Sequence, residues 1–254
     1  MKLQKISLGF AALALSLNVY AADLTRVEIE QKLKSADKTH VADLRRKDFR
    51  GLDLSTLDFH NADLWGTDLR DANLNDSDLS NLNLDLTVMT RIHFARANLA
   101  NTSIFGVSMM DSDLSEANLS GSRFIANLDK ANLKGANLQN ANWGVDMKNQ
   151  PMGLMRVSLN GANLSNANLS NADLNRALLR RANLSHAILK NTILFSADMN
   201  SADLSGADLS GANLRACRLE GVKFDGANLS GAKFSSKDKA LLNGALNVNA
   251  VIFE

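Results

Sequence analysis

The stretch Ser201–Leu219, SADLSGADLSGANLRACRL, places leucines at Leu204, Leu209, Leu214 and Leu219, five residues apart. Ala202, Ala207 and Ala212 stand two places before the first three, with Asp203, Asp208 and Asn213 in between. Five is the period of neither an α-helix (about 3.6) nor a strand (about 2). A residue every five places reaches a common core only if the chain turns inside each unit.

Followed outward, the beat covers most of the chain. It runs from Leu44 to Phe124, resumes one residue early at Leu128, Leu133, Leu138 and Trp143, and returns from Leu159 to Phe234. Every one of these centres is apolar. Residues 144–158 break the pattern and hold the single proline, Pro151, with Met147, Met152 and Met155. Trp143 to Leu159 reads as three steps plus one residue, so this irregularity restores the register lost after Phe124.

The place two before each centre is small. Between Leu159 and Phe234 it is alanine except at Val157, Thr192, Cys217 and Val222. Two residues in five therefore face inward and three face water. A chain that turns once per unit closes a square after four units. Stacked squares form an all-β solenoid with a dry Leu/Ala interior. Asp or Asn before the centre suits the turns, because its side chain bonds nearby backbone N–H groups. Glycine supplies freedom at other corners.

The repeat A-[DN]-L-x-x, as in Ala162-Asn163-Leu164, Ala167-Asn168-Leu169 and Ala172-Asp173-Leu174, resembles the pentapeptide repeat family. The resemblance spans residues 42–234. It implies a right-handed quadrilateral β-helix, four pentapeptides to a coil and about nine coils, a rod of roughly 45 Å. It implies little about activity, since one fold hosts many roles.

The flanks differ from the repeat. Residues 1–21 read as a signal peptide: Lys2 and Lys5, the apolar run Ile6–Leu17, then Val19-Tyr20-Ala21 as a cleavage site. The run is short for a membrane span of about 20 residues. The expectation is a periplasmic or secreted chain with no span left after cleavage. Residues 22–41 hold a capping helix, roughly Thr25 to Ser35, with Thr25 and Glu28 at capping-box spacing and Ile29 and Leu33 on one face. In residues 235–254, Ser236 to Leu242 reads as a short capped helix and Asn249 to Phe253 as a last strand. Leu242, Ile252 and Phe253 then plug the open end or meet a second copy, the end through which the resemblance implies homodimers.

Charge and motifs narrow the function. The chain has 28 basic and 27 acidic residues. Without Lys2 and Lys5 the balance is one acid in excess, so bulk charge gives no reason to expect nucleic-acid binding. No histidine among His40, His60, His93 and His186 has a partner at metal-ligand spacing. Cys217 occupies an inward small place and reads as structural. Rows of acids such as Asp71, Asp76, Asp78, Asp111, Asp113 and Glu116 follow from the repeat itself. No nucleophile elbow or phosphate loop is present, and no cofactor is expected.

Two features depart from the background. Arg45, Arg46, Lys47 and Arg50 form a basic run, echoed by Arg176, Arg180 and Arg181, that reads as a solvated face or as a contact for an anionic partner. Met147, Met152 and Met155 read as apolar loop residues, with Cu(I) ligation as the sharper alternative. The expected function is a non-enzymatic extracytoplasmic scaffold that binds an unidentified protein. The competing reading, from what the resemblance implies, is a duplex-DNA mimic that binds type II topoisomerases and protects them from quinolones. A near-neutral charge and a signal peptide disfavour it.

Overall fold

The computed structural model describes residues 22–145 and 155–254. The expected signal peptide and the residues Met147, Pro151 and Met152 lie outside them.

The unit Ala162-Asn163-Leu164-Ser165-Asn166 shows why the repeat folds, because each of its five N–H groups finds an acceptor. Ala162 N donates back to Leu159 O (3.1 Å), which makes the turn. Asn163 N donates to Ala131 O (2.9 Å) in the preceding coil, while Leu164 N and Asn166 N donate to Asn183 O (2.7 Å) and Ser185 O (3.0 Å) in the next. Ser165 N is taken by the side chain of Asn163, at 3.1 Å. A buried N–H without a partner is costly. The Asp or Asn before each centre thus supplies the fifth acceptor.

The chain rises through parallel bridges spaced by one coil. Asp48 pairs with Asp68, Asp53 with Asn73 and Asp58 with Asp78, and strand β1 (Ala42–Asp43) with β2 (Ala62–Asp63). Four bridged positions recur every 20 residues, as expected for four units per coil. Ladders stay short because a turn follows each unit. Two residues past most centres, the backbone is left-handed, at Gly51, Asp71, Asn81 and many others.

The core is continuous. Leu44, Phe49, Leu54 and Phe59 are fully buried in the first coil, and Leu214, Leu229 and Phe234 near the last. Each such leucine contributes about 1.5–3 kcal/mol on burial. The interior is less purely Leu/Ala than expected. Thr67, Ser77, Thr87, Thr102 and Ser122 fill inward small places in the first half. Each hydroxyl donates to the carbonyl three residues back, from Thr67 to Leu64 O (2.6 Å) through Ser122 to Leu119 O (2.6 Å).

Both irregularities are absorbed locally. At the short step, β3 (Ser103–Ser108) pairs with β4 (Arg123–Asn127), and the register slips between Phe105 and Val107. One corner is drawn straight, Phe124 and Ala126 join the core while Ile125 between them is buried outside that cluster, and the next coil has 19 residues. The reading of Trp143 to Leu159 as three steps plus one is corrected. Leu128 N bonds Ser158 O and Trp143 N bonds Asp173 O, and equivalent positions such as Asn127 and Ser158 bridge 31 residues apart in place of 20. One corner therefore carries an excursion of about eleven residues, consistent with loop length being thermodynamically tolerant. Trp143 fills the core beneath it. Its ring stacks on Phe124 at 4.8 Å and 5°, and its Nε1 donates to Ser122 Oγ (3.0 Å).

Helix α1 (Arg26–Lys34) has the expected capping box at Thr25 and Glu28. Ile29 is fully buried, with Leu24, Leu33 and Ala36 packed nearby. The Arg26 guanidinium donates to Asp53 O and Ser55 O, both at 2.9 Å. Asp23 exchanges two bonds with the backbone of Asp48. At the other end, Ser236–Leu241 is a 3-10 helix whose Ser235 makes no side-chain cap bond, so the expected capped helix is corrected. The last strand is shorter than expected: Val248–Ala250 is 3-10, and only β6 (Ile252–Phe253) pairs, in parallel, with β5 (Lys233–Phe234).

Candidate functional site

The basic run lies on the first coil, where its members diverge. Arg45 is held by Asp43, through Nε to Oδ1 (2.9 Å) and Nη2 to Oδ2 (3.0 Å), and reaches Asp63 at 3.6 Å. The hydrogen bond from the Arg45 side chain, aided by its backbone N–H, holds the Asp43 carboxyl down at about 2. Arg50 is likewise bound to Asp48 (2.5 Å) and lies 3.6 Å from Asp68. Lys47 is half-buried two places before Phe49. The run is largely neutralised by its own neighbours.

Arg46 behaves differently. Its guanidinium lies over the indole of Trp65, 4.7 Å from the ring centroid. Gly66 follows Trp65 at φ 68, the left-handed conformation of the corner. Trp65 N donates to Asp63 Oδ1 (3.0 Å). Arg46, Asp63 and Trp65 line an open cleft of about 790 Å3 with Asp43, Arg45, Ala62 and Asn83. The sequence reading missed Trp65. A signal was available: of two tryptophans, Trp143 is a centre and Trp65 is off the beat.

The other candidates are scattered. Met155 is exposed, with its methyl over Gly106, and its two partners in the methionine set lie outside the described residues. Leu242 is buried, Phe253 is half-buried against the core and Ile252 is exposed. Cys217 Sγ donates to Leu194 O (3.0 Å), and burial pushes the thiol up to about 12, so it carries no thiolate at neutral pH. His60 Nδ1 meets Asp58 Oδ1 at 2.5 Å, and His40 lies 3.4 Å from Asp37. Among the described residues, no three His, Cys, Asp or Glu side chains converge on a metal position, and no helix is long and apolar enough to cross a membrane.

On the opposite half, Asp198 is nearly buried between two arginines. Burial alone would raise its carboxyl. The Arg180 bond (2.7 Å), the Asn200 N–H and nearby Arg218 outweigh that and hold it below the usual range. This is a structural ion pair.

Comparison with known proteins finds several similar chains. HetL, a pentapeptide repeat protein involved in heterocyst differentiation regulation from the cyanobacterium Nostoc sp. strain PCC 7120, is 29% identical. That match covers 84% of this chain and 90% of HetL, with a TM-score of 0.29. A trypsin-treated form of QnrB1, a plasmid-mediated fluoroquinolone resistance protein, is 19% identical over 77% of this chain and 93% of its own, with a TM-score of 0.44. A pentapeptide repeat protein from the Arabidopsis thaliana thylakoid lumen is 25% identical over 51% and 70%, with a TM-score of 0.21. No curated protein matches the chain. The family model described as pentapeptide repeats matches in eight copies, at residues 53–91, 92–125, 126–143, 158–194 and 197–235. With the five-residue beat, the 20-residue coil and this match in agreement, the chain belongs to the pentapeptide repeat family.

Proposed function

We propose that this protein is a non-enzymatic scaffold of the cell envelope that works by binding a partner protein along its sides. The observation that carries the reading is the filled core. The centres are buried from Leu44 to Phe234, which leaves no internal pocket for a substrate among the described residues. What the molecule offers is an outer surface of regular polar rows, interrupted at a few places where side chains change. The sequence of residues 1–21 supports export, and the family's fold supports a right-handed coil. The contacts of α1 and of residues 235–254 support their role as caps that shield open strand edges. The C-terminal end is proposed as the homodimer contact, since Ile252 stays exposed beside the plug made by Leu242, Val248, Val251 and Phe253.

Crosslinking in intact cells, followed by identification of the captured proteins, tests the reading. A reproducible envelope partner, lost when the outward residues are changed, is the expected result. Cytoplasmic location together with capture of a type II topoisomerase would overturn it. Light scattering on the purified chain measures the dimer, and Ile252→Asp is expected to return it to monomer.

A further inference from the structure

We propose that the Arg46–Trp65 cleft binds a neutral saccharide, with one pyranose ring stacked on the indole. An outward tryptophan contributes nothing to the coil's core, and an indole presents a large apolar face for a ligand. The cleft, about 790 Å3, falls in the size range of small-ligand sites. Its charges cancel, with Asp43 and Asp63 against Arg45 and Arg46, so neither an anionic polymer nor a cation gains a net Coulombic advantage. The polar groups are mixed: two guanidinium donors, two carboxylate acceptors and the Asn83 amide, which does both. Sugar hydroxyls also donate and accept, and the apolar C–H face of the ring needs an aromatic platform.

The site is also held in shape. Asp63 is fixed by Trp65 N, Asp43 by Arg45, and the Asn83 carbonyl oxygen by Asp85 N (2.8 Å). Arg46 occupies the indole face as a stand-in ligand. An exposed cation–π contact is weak, so the guanidinium yields its place to a sugar ring and turns its N–H groups to the hydroxyls.

Trp143 is fully buried, so ligand-dependent tryptophan fluorescence reports on Trp65. Titration of the intact protein with chitotetraose and cellotetraose is expected to give a saturable change, confirmed by calorimetry. Trp65→Ala should weaken binding by about tenfold or more, with an unchanged circular dichroism spectrum. Arg46→Ala, which uncovers the ring but removes a hydroxyl donor, should weaken binding of the neutral sugars by less than Trp65→Ala does. No saturable response to either sugar overturns the proposal, as does equal affinity in Trp65→Ala. A response to a sulfated polysaccharide alone, abolished by Arg46→Ala, would make the cleft an anion site and overturn it equally.

Discussion

The coils before the excursion and the coils after it solve one folding problem with different residues. From Leu159 onward the interior is close to uniform Leu and Ala. Before Trp143 it mixes Phe49, Phe59, Met89 and Phe94 with buried Thr and Ser. Outside, the first half carries ion pairs within and between coils: Arg50–Asp48, Arg70–Asp68, Arg91–Asp71 and Arg96–Asp76. Among the described residues the second half carries fewer, including Arg180–Asp198 and Lys190–Asp208. Exposed pairs of this kind contribute about 0–1 kcal/mol, so the first half is not held together by charge. The difference teaches that the coil asks for inward volume and a full set of N–H acceptors, and leaves the rest of the unit free. The first half uses that freedom, and the Trp65 cleft is there.

The junction is the strongest place to break the comparison. Trp143→Ala removes the Phe124 stack and the bond to Ser122 at the boundary of the halves. A loss of about 3–5 kcal/mol is expected, read from denaturant midpoints, with the two halves unfolding separately by hydrogen exchange. A single shared transition with little loss would show that the halves are coupled elsewhere.

The N–H accounting gives the next test. His93, Leu178 and Arg218 stand where Asp or Asn usually supplies the fifth acceptor. In each case a side chain one coil earlier takes over: Asn75 accepts from Ala95 N (2.8 Å), Asn160 from Arg180 N and Asn200 from Glu220 N. Asn75→Ala leaves the buried Ala95 N–H unpaired and should cost about 1–3 kcal/mol. Asn200→Ala should cost less, because Glu220 is exposed and water can replace the amide. Equal losses in the two variants would mean that the amide acts through something other than the N–H.

Corner strain separates the halves more gently. Thr56 holds φ 64 and Leu86 holds φ 62, while Gly206 meets the same need at φ 68. Thr56→Gly relieves the left-handed strain and should stabilise by about 0.5–1 kcal/mol, net of the entropy of glycine. Gly206→Ala should destabilise by a similar amount, since its Cβ would also press on the His186 ring. Thermal midpoints that move the opposite way would remove strain from the account.

The smallest effect is electrostatic. The folded Asp43 carboxyl is depressed to about 2. Its contribution is therefore present above the unfolded value of about 3.9 and is lost as pH falls through about 2. Arg45→Gln should raise the Asp43 titration toward the ordinary range, as followed by carboxyl carbon NMR, with Asp208 in the other half unmoved. The melting temperature at neutral pH should hardly change, because the pair is exposed.

Much of the fold was legible because the pattern is local. Leu164, Ala162 and Asn163 declare inward, inward and turn within one unit, and the capping box of α1 is a contact between neighbours. The candidate site was half legible. Arg45, Arg46 and Arg50 stood out as a run, but their partners are not all nearby in sequence. Arg46 meets Trp65 only because 20 residues make a coil. The excursion was misread for a related reason, since a count in fives cannot tell three skipped corners from one long one.

The sequence by itself determined the five-residue beat, the inward pair in each unit and the acceptor beside it, since these are requirements of a single turn. Only the tertiary structure decided which units stack where the beat is interrupted, because a beat of five specifies orientation and is silent on how an irregular corner is closed. Coil lengths of 19, 20 and 31 residues set the neighbours across coils. They place Asn75 under Ala95, Trp143 on Phe124 and Arg46 on Trp65, and these contacts give a periodic rod its individual surface.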